Sequence, residues 1–185
     1  NPHFMFNTLN AISTLIYKHE NDKANEMLDK LCEFFRYSLD NNAKNKTNLH
    51  KELQLLDLYL SIEKVRFADR LSINRQISDE VLNCQIPSML LQPLVENSIK
   101  YAIEPRKEGG NITITAAKQG DRLIIVVLDN GDGKHDMVSD GFGIGMSNTK
   151  ARLDAMFNGD YNIKIANNDQ KGTTVSISVP FEKLS

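Results

Sequence analysis

From Phe4 to Leu39 the apolar positions recur at helical spacing. Met5, Leu9, Ile12 and Ile16 follow one face, and Ala24, Met27, Leu28, Leu31, Phe34, Phe35 and Leu39 form a wider second stripe. Polar Glu20-Asn21-Asp22 divides the two, so the pattern predicts a helical hairpin. A hairpin of this size has too little core to stand alone, and its broad stripe calls for a partner surface. Dimerisation through a four-helix bundle is the expected solution.

The run Asn41 to Asn48 is polar and lacks apolar periodicity, and the domain boundary is placed there: a helical region over residues 1–46 and a second domain over 47–185. A third helix follows. It carries Leu49, Leu53, Leu56 and Leu60 on one face and Leu55, Leu58, Ile62 and Val65 on another, which predicts burial on more than one side, and it ends near Phe67. Alternating apolar residues then predict strands at Leu71 to Ile77, Ile112 to Ala116, Leu123 to Leu128, Tyr161 to Ile165 and Val175 to Val179. Helices at about Ser88 to Ala102 and Met146 to Phe157 interleave with them. Hairpin-like turns such as Gln119-Gly120-Asp121 point to a mixed, mainly antiparallel sheet with helices on one face, and to an α+β chain.

Composition narrows the partners. The chain has 185 residues and 41% hydrophobic content, enough for one ordinary core and a smaller appended unit. A formal net charge of -2 supplies no field for wrapping nucleic acid or binding an anionic membrane. Cys32 and Cys84 match no metal-ligand spacing and read as reduced intracellular residues. No apolar run is long enough to span a bilayer. The opening Asn1-Pro2-His3-Phe4, without an initiator Met, reads as a piece of something longer.

Three separated strings then carry candidate chemistry: Glu96-Asn97-Ser98-Ile99-Lys100, Asp129-Asn130-Gly131-Asp132-Gly133 and Gly141-Phe142-Gly143-Ile144-Gly145. Together they ask for Mg-ATP. Asn97 offers a hard oxygen to Mg²⁺, which keeps most of its waters and takes few protein ligands, and Lys100 lies one turn along for a phosphate. Asp129 ends an apolar strand and is an acceptor fit for the adenine amino group. The glycines let backbone approach a nucleotide, and Gly141 to Gly145 leads into a helix near Met146 whose free amides favour an anion. Gly172-Thr173 precedes the last strand, where the Thr173 hydroxyl can assist Asp129 at the base, directly or through water. Each string has an ordinary reading on its own, as a turn, a glycine loop or a helix residue bonded to local backbone. In this order they are poorly explained by coincidence.

These boxes resemble those of the gyrase, heat-shock chaperone, histidine kinase and MutL (GHKL, or Bergerat) ATPases. The N-terminal segment Asn1-Pro2-His3-Phe4-Met5-Phe6-Asn7-Thr8-Leu9-Asn10 is similar to the phosphoacceptor segment of LytS-type sensor histidine kinases. So are Arg36-Tyr37-Ser38-Leu39, Tyr59-Leu60-Ser61-Ile62-Glu63 and Ile86-Pro87 through Gln92-Pro93-Leu94-Val95-Glu96-Asn97. The resemblance covers essentially the whole chain. It implies an α/β-sandwich ATP-binding domain after the dimerising hairpin, with ATP and Mg²⁺ as cofactors and Asn97 as the metal ligand. Autophosphorylation on His3 and transfer to an aspartate of a response regulator receiver domain, with a LytTR-type DNA-binding output, would follow. Nucleotide contacts fall on Asn97, Lys100, Tyr101, Asp129, Gly131, Gly133, Gly141, Gly143, Ile144, Gly145, Met146 and Thr173. Tyr101 stands where relatives often have His. No direct nucleic-acid contact is implied, and membrane attachment would come only through a missing N-terminal region, making this the cytoplasmic portion of a bacterial membrane sensor. His19, His50 and His135 lack the surroundings of His3.

Phe4 follows His3 directly, where many histidine kinases place an acidic residue. The general base is therefore left open, with Glu96 the nearest acidic candidate in the ATP cleft and a Mg²⁺-water ligand or a surface charge as its other readings. Asn7, one helical turn beyond His3, is placed to orient a water for removing phosphate from the regulator. Two other functions remain open: an ATP-hydrolysing switch using Glu96 to activate water, and a catalytically silent dimerising scaffold.

Overall fold

A computed structural model describes residues 2–42, 46–131, 144–167 and 172–183. Helices α1 (Pro2–Tyr17) and α2 (Asn21–Asn42) form the hairpin. His19 takes positive φ in the connection between them. The faces they bury differ from the sequence expectation. In α1 the inward row is Phe4, Thr8 and Ile12, while Leu9 and Ile16 point outward; in α2 it is Ala24, Met27, Leu31 and Phe34, with Leu28, Phe35 and Leu39 outward. Both rows keep 3–4 spacing, so each helix has two apolar faces and only one meets this chain.

The expected linker is partly structured. Lys46–Asn48 is strand β1, paired antiparallel with β3 (Gln85–Pro87), so the boundary expected between 46 and 47 falls inside a paired strand. Asn48 then caps α3 (Leu49–Phe67), its side chain accepting from the Lys51 N–H at 2.9 Å. As the two apolar rows predicted, α3 is buried broadly, and it packs against α1, α2, α4 and β2. It ends at Ala68, whose positive φ breaks the helix before a 3₁₀ turn over Ala68–Arg70.

The remaining strands are β2 (Leu71–Ile77), β4 (Gly110–Gln119), β5 (Arg122–Asp129), β6 (Asn162–Asn167) and β7 (Thr173–Pro180). Their order is β2-β4-β5-β7-β6, with β2 and β4 parallel and every other pair antiparallel. Period-two burial leaves one face inside: Ile112, Ile114 and Ala116 on β4, Leu123, Ile125 and Val127 on β5, and Val175, Ile177 and Val179 on β7. Helices α3, α4 (Leu91–Ser98) and α5 (Ile144–Phe157) contribute Leu55, Ile62, Leu91, Leu94, Val95 and Leu153 to the same core. The helix expected from Ser88 begins three residues later because Met89 takes positive φ, and it passes into a π turn over Ile99–Ile103.

Candidate active site

Strand parity decides where Asp129 goes. Leu123, Ile125 and Val127 face the core, so Asp129, two residues on, faces the same way and is buried. A buried carboxylate must find donors. One oxygen accepts from the Gly131 N–H at 3.0 Å and the Thr173 N–H at 3.1 Å, and the other accepts from the Ser98 hydroxyl at 3.2 Å. Burial pushes its pKa up, against the pull of those three donors and of Arg106. The backbone N–H of Thr173 thus holds Asp129 in place, beside the hydroxyl that the sequence suggests for the base. Ser98, one residue beyond Asn97, joins the helix of the first motif to the strand of the second, a link that the sequence reading did not assign.

Two glycines are required here. A Cβ on Gly172, whose φ is +144°, would lie 2.2 Å from the Asp129 carbonyl oxygen, and one on Gly131 would lie 2.8 Å from the Ala102 Cβ. Gly131 therefore lets the Asp-Asn-Gly turn close onto the helix carrying Lys100 and Tyr101. Asn130 finishes the turn, its side chain accepting from the Asn111 N–H at 2.7 Å, while Arg106 donates to its carbonyl.

Glu96, Asn97, Lys100 and Tyr101 all lie on the continuous helix formed by α4 and the π turn. A π turn widens the backbone and shifts the residues that follow it around the axis, and such turns recur at functional sites. Glu96 and Asn97 are half-buried, and the Glu96 carboxylate accepts from the Gln92 amide at 2.7 Å. Lys100 is exposed, with its Nζ 4.8 Å from the Tyr101 ring centroid. Met146, in the first turn of α5, is buried. Ile144 and Gly145 open that helix; Gly133, Gly141 and Gly143, expected around the phosphates, lie outside the described residues, as does His135.

The histidine region meets this domain through aromatic rings. His3 is exposed, and the Asn7 amide nitrogen stands 3.2 Å from its Nδ1 and 3.3 Å from its Nε2, as the one-turn spacing predicted. Phe4 turns the other way. Its ring lies 5.3 Å from Phe34 in an edge-on contact and 4.9 Å from Tyr59 of α3 in a tilted one. Tyr59 is itself buried, and burial together with the negative charges of Glu63 and Glu96 holds its hydroxyl well above the usual tyrosine range. Glu63 is pushed up to about 7 by burial, against the pull of Arg66 and with the push of Glu104 and Glu96. Glu96 thus belongs to a group of acids around the tyrosine on which the residue next to His3 packs. His19 and His50 are exposed.

The fold and site define a nucleotide-binding α/β sandwich fed by a helical hairpin. A profile described as histidine kinase matches residues 1–71, and one described as histidine kinase-, DNA gyrase B-, and HSP90-like ATPase matches residues 86–183. The chain belongs to the histidine kinases of that ATPase superfamily. It is 37% identical to the sensor protein LytS of Staphylococcus saprophyticus over 100% of this chain and 33% of the relative, and 34% identical to the sensor histidine kinase BtsS of Escherichia coli over 98% and 32%. It spans about a third of the length of these relatives. The histidine kinase AdeS of Acinetobacter baumannii shares the fold, with a TM-score of 0.56 at 14% identity over 97% of this chain and 96% of that one.

Proposed function

We propose that this chain is the kinase core of a bacterial sensor protein, which binds Mg-ATP, phosphorylates His3 and passes the group to an aspartate of a response regulator receiver domain with a LytTR-type output. The observation that carries the reading is the opposite facing of adjacent residues: His3 outward with Asn7 at its ring, Phe4 buried against the helix that backs the ATP site. An ATP-hydrolysing switch has no need of such an acceptor.

In this reading Asp129 accepts from the adenine amino group. Its two amide bonds and its serine bond fix the carboxylate for that contact, and Arg106 braces the turn from outside. Asn97 would supply an amide oxygen, a hard donor that fits Mg²⁺. When bound, Mg²⁺ neutralises phosphate charge. Lys100 and the amides opening α5 serve the phosphates. The unprotonated ring nitrogen of His3 accepts the γ-phosphoryl group, the bond to the β-phosphate oxygen breaks, and ADP leaves with the electron pair. Glu96 takes the imidazole proton, and Asn7 orients water for the reverse, dephosphorylating activity towards the regulator. The outward apolar faces of α1 and α2 assemble a homodimer. The whole protein is placed at the membrane by segments outside this chain; among the described residues no helix is long and apolar enough to cross one.

Incubation with γ-labelled ATP tests the reading. Protein-bound label that survives alkali and is lost in acid is the expected result. Free phosphate without label would indicate the hydrolytic switch, and neither product a scaffold.

A further inference from the structure

The helix carrying Asn97 and Lys100 is held at both ends by one neighbour. At its start, the Glu52 carboxylate of α3 accepts from the Met89 N–H at 3.1 Å and the Leu91 N–H at 3.0 Å. At its finish, Arg70, in the 3₁₀ turn that ends α3, donates through Nη2 to the carbonyls of Ile103 and Glu104 at 3.3 Å and of Arg106 at 2.7 Å. The bonds thus fall on the backbone that leads into the helix and on the turn that leaves it, where the Ile103 and Arg106 carbonyls also accept from the Arg106 and Gly109 N–H groups. The signs also match the helix dipole, a carboxylate at the amide end and a guanidinium at the carbonyl end. Between them Arg66 pairs with Glu63 of its own helix and with Glu104 just past the π turn.

The arrangement is costly in the way that functional contacts often are. Glu52 is only 1% exposed, and a carboxylate is brought that deep only where its hydrogen bonds are needed. A second tie acts on the same start: Arg152 of α5 donates to the Ser88 carbonyl at 2.7 Å and places its positive charge near Glu52. The helix of the first motif, the helix that follows the glycine box, and α3 therefore meet at one buried carboxylate. α3 is also the helix on which Phe4 and Phe34 of the hairpin pack, through Tyr59.

We propose that Glu52 and Arg70 are positioning residues that clamp the asparagine-bearing helix by its two ends and so set Asn97 for the metal and Lys100 for phosphate. The proposal rests on the Mg-ATP reading above. Neither residue is among the nucleotide contacts; each acts through the backbone at one end of the helix that carries Asn97 and Lys100.

The test is titration of the whole chain with a non-hydrolysable ATP analogue, with and without Mg²⁺, for wild type, Glu52→Gln, Arg70→Lys and Arg122→Gln. Arg122 pairs with Asp160 at the far end of β5 and serves as the stability control. Circular dichroism confirms that each variant is folded at the assay temperature. Expected are about a tenfold loss of Mg²⁺-bound affinity in both clamp variants and loss of most of the Mg²⁺-dependent gain. The control should keep that gain while its melting midpoint falls. If Glu52→Gln does not fold, Arg70→Lys decides alone, and the reverse holds. A wild-type Mg²⁺-dependent gain in the folded clamp variants, or failure of both to fold, would overturn the clamp. Absence of nucleotide binding by wild type would instead overturn the ATP reading.

Discussion

The hairpin and the sheet domain treat apolar surface in opposite ways. α1 and α2 expose Phe6, Leu9, Ile16, Tyr17, Leu28, Phe35 and Leu39, with Tyr17 at 86% and Leu39 at 70%, whereas the described residues from Lys46 onward expose only Val65 and Leu128 among large hydrophobics. The sheet domain is completed by its own three helices. The hairpin is completed on one side by α3 and needs a second surface on the other. Contiguous apolar faces of this kind mark association sites. On the proposed function, binding nucleotide falls to the closed region and presenting His3 to the open one.

If that division is right, perturbing the closed region should abolish nucleotide binding first. The largest effect is expected at Gly172→Ala, where a Cβ would drive into the Asp129 backbone; ATP affinity should fall by roughly a hundredfold or more, since displacements of about 1 Å cost that much. Calorimetric titration reads it. Asp129→Asn comes next. An amide nitrogen would face either the Gly131 and Thr173 N–H groups or the adenine amino group, and the expected loss is about ten- to a hundredfold. Asn97→Asp should mainly impair the Mg²⁺-dependent step, so equal loss for both variants with and without Mg²⁺ would mean that these residues merely support folding.

The open region should respond in the reverse sense. Ile16→Asp combined with Leu39→Asp puts two charges into the outward face, and the dimer dissociation constant should rise by roughly tenfold or more while ATP affinity stays within about twofold. Sedimentation analysis beside the titration checks both halves. A dimer that survives would move its interface elsewhere.

The smallest effect concerns Glu52, raised to about 7 chiefly by burial. An acid whose folded pKa lies above its unfolded value binds more protons when folded, so it costs stability as pH rises from the unfolded value of 4.5 towards 7, and the cost is constant above that. Relative to wild type, Glu52→Gln should therefore gain stability across that window. Urea midpoints of the two proteins at several pH values read the difference, and a constant difference would remove Glu52 as its source.

What the sequence revealed follows the range of the contacts. Asp129 was legible because alternation along β5 fixes its side of the sheet locally, and Asn7 because one helical turn places it at His3. Strand positions followed from the same local periodicity. Glu52 and Arg70 were not legible: their partners lie more than thirty residues away, and a charged residue on an apolar helix reads as a solvated position until the fold closes over it. Which apolar row of the hairpin packs within the chain was not legible for a related reason. Leu9 and Ile16 are as apolar as Ile12, and spacing alone does not say which row meets α3. Thr8, buried beside Phe4, shows the limit from the other side, since its hydroxyl is satisfied by the Phe4 carbonyl within its own helix.

The most direct measurement is the location of the phosphoryl group. Whole chain and its His3→Gln variant are incubated with γ-labelled ATP and Mg²⁺, label is mapped by mass spectrometry under alkaline conditions, and nucleotide affinity is measured in parallel. The account predicts label on His3 alone, acid-labile and absent from His3→Gln, with ATP affinity the same in both proteins. Label persisting in His3→Gln, or vanishing together with ATP binding, would contradict it.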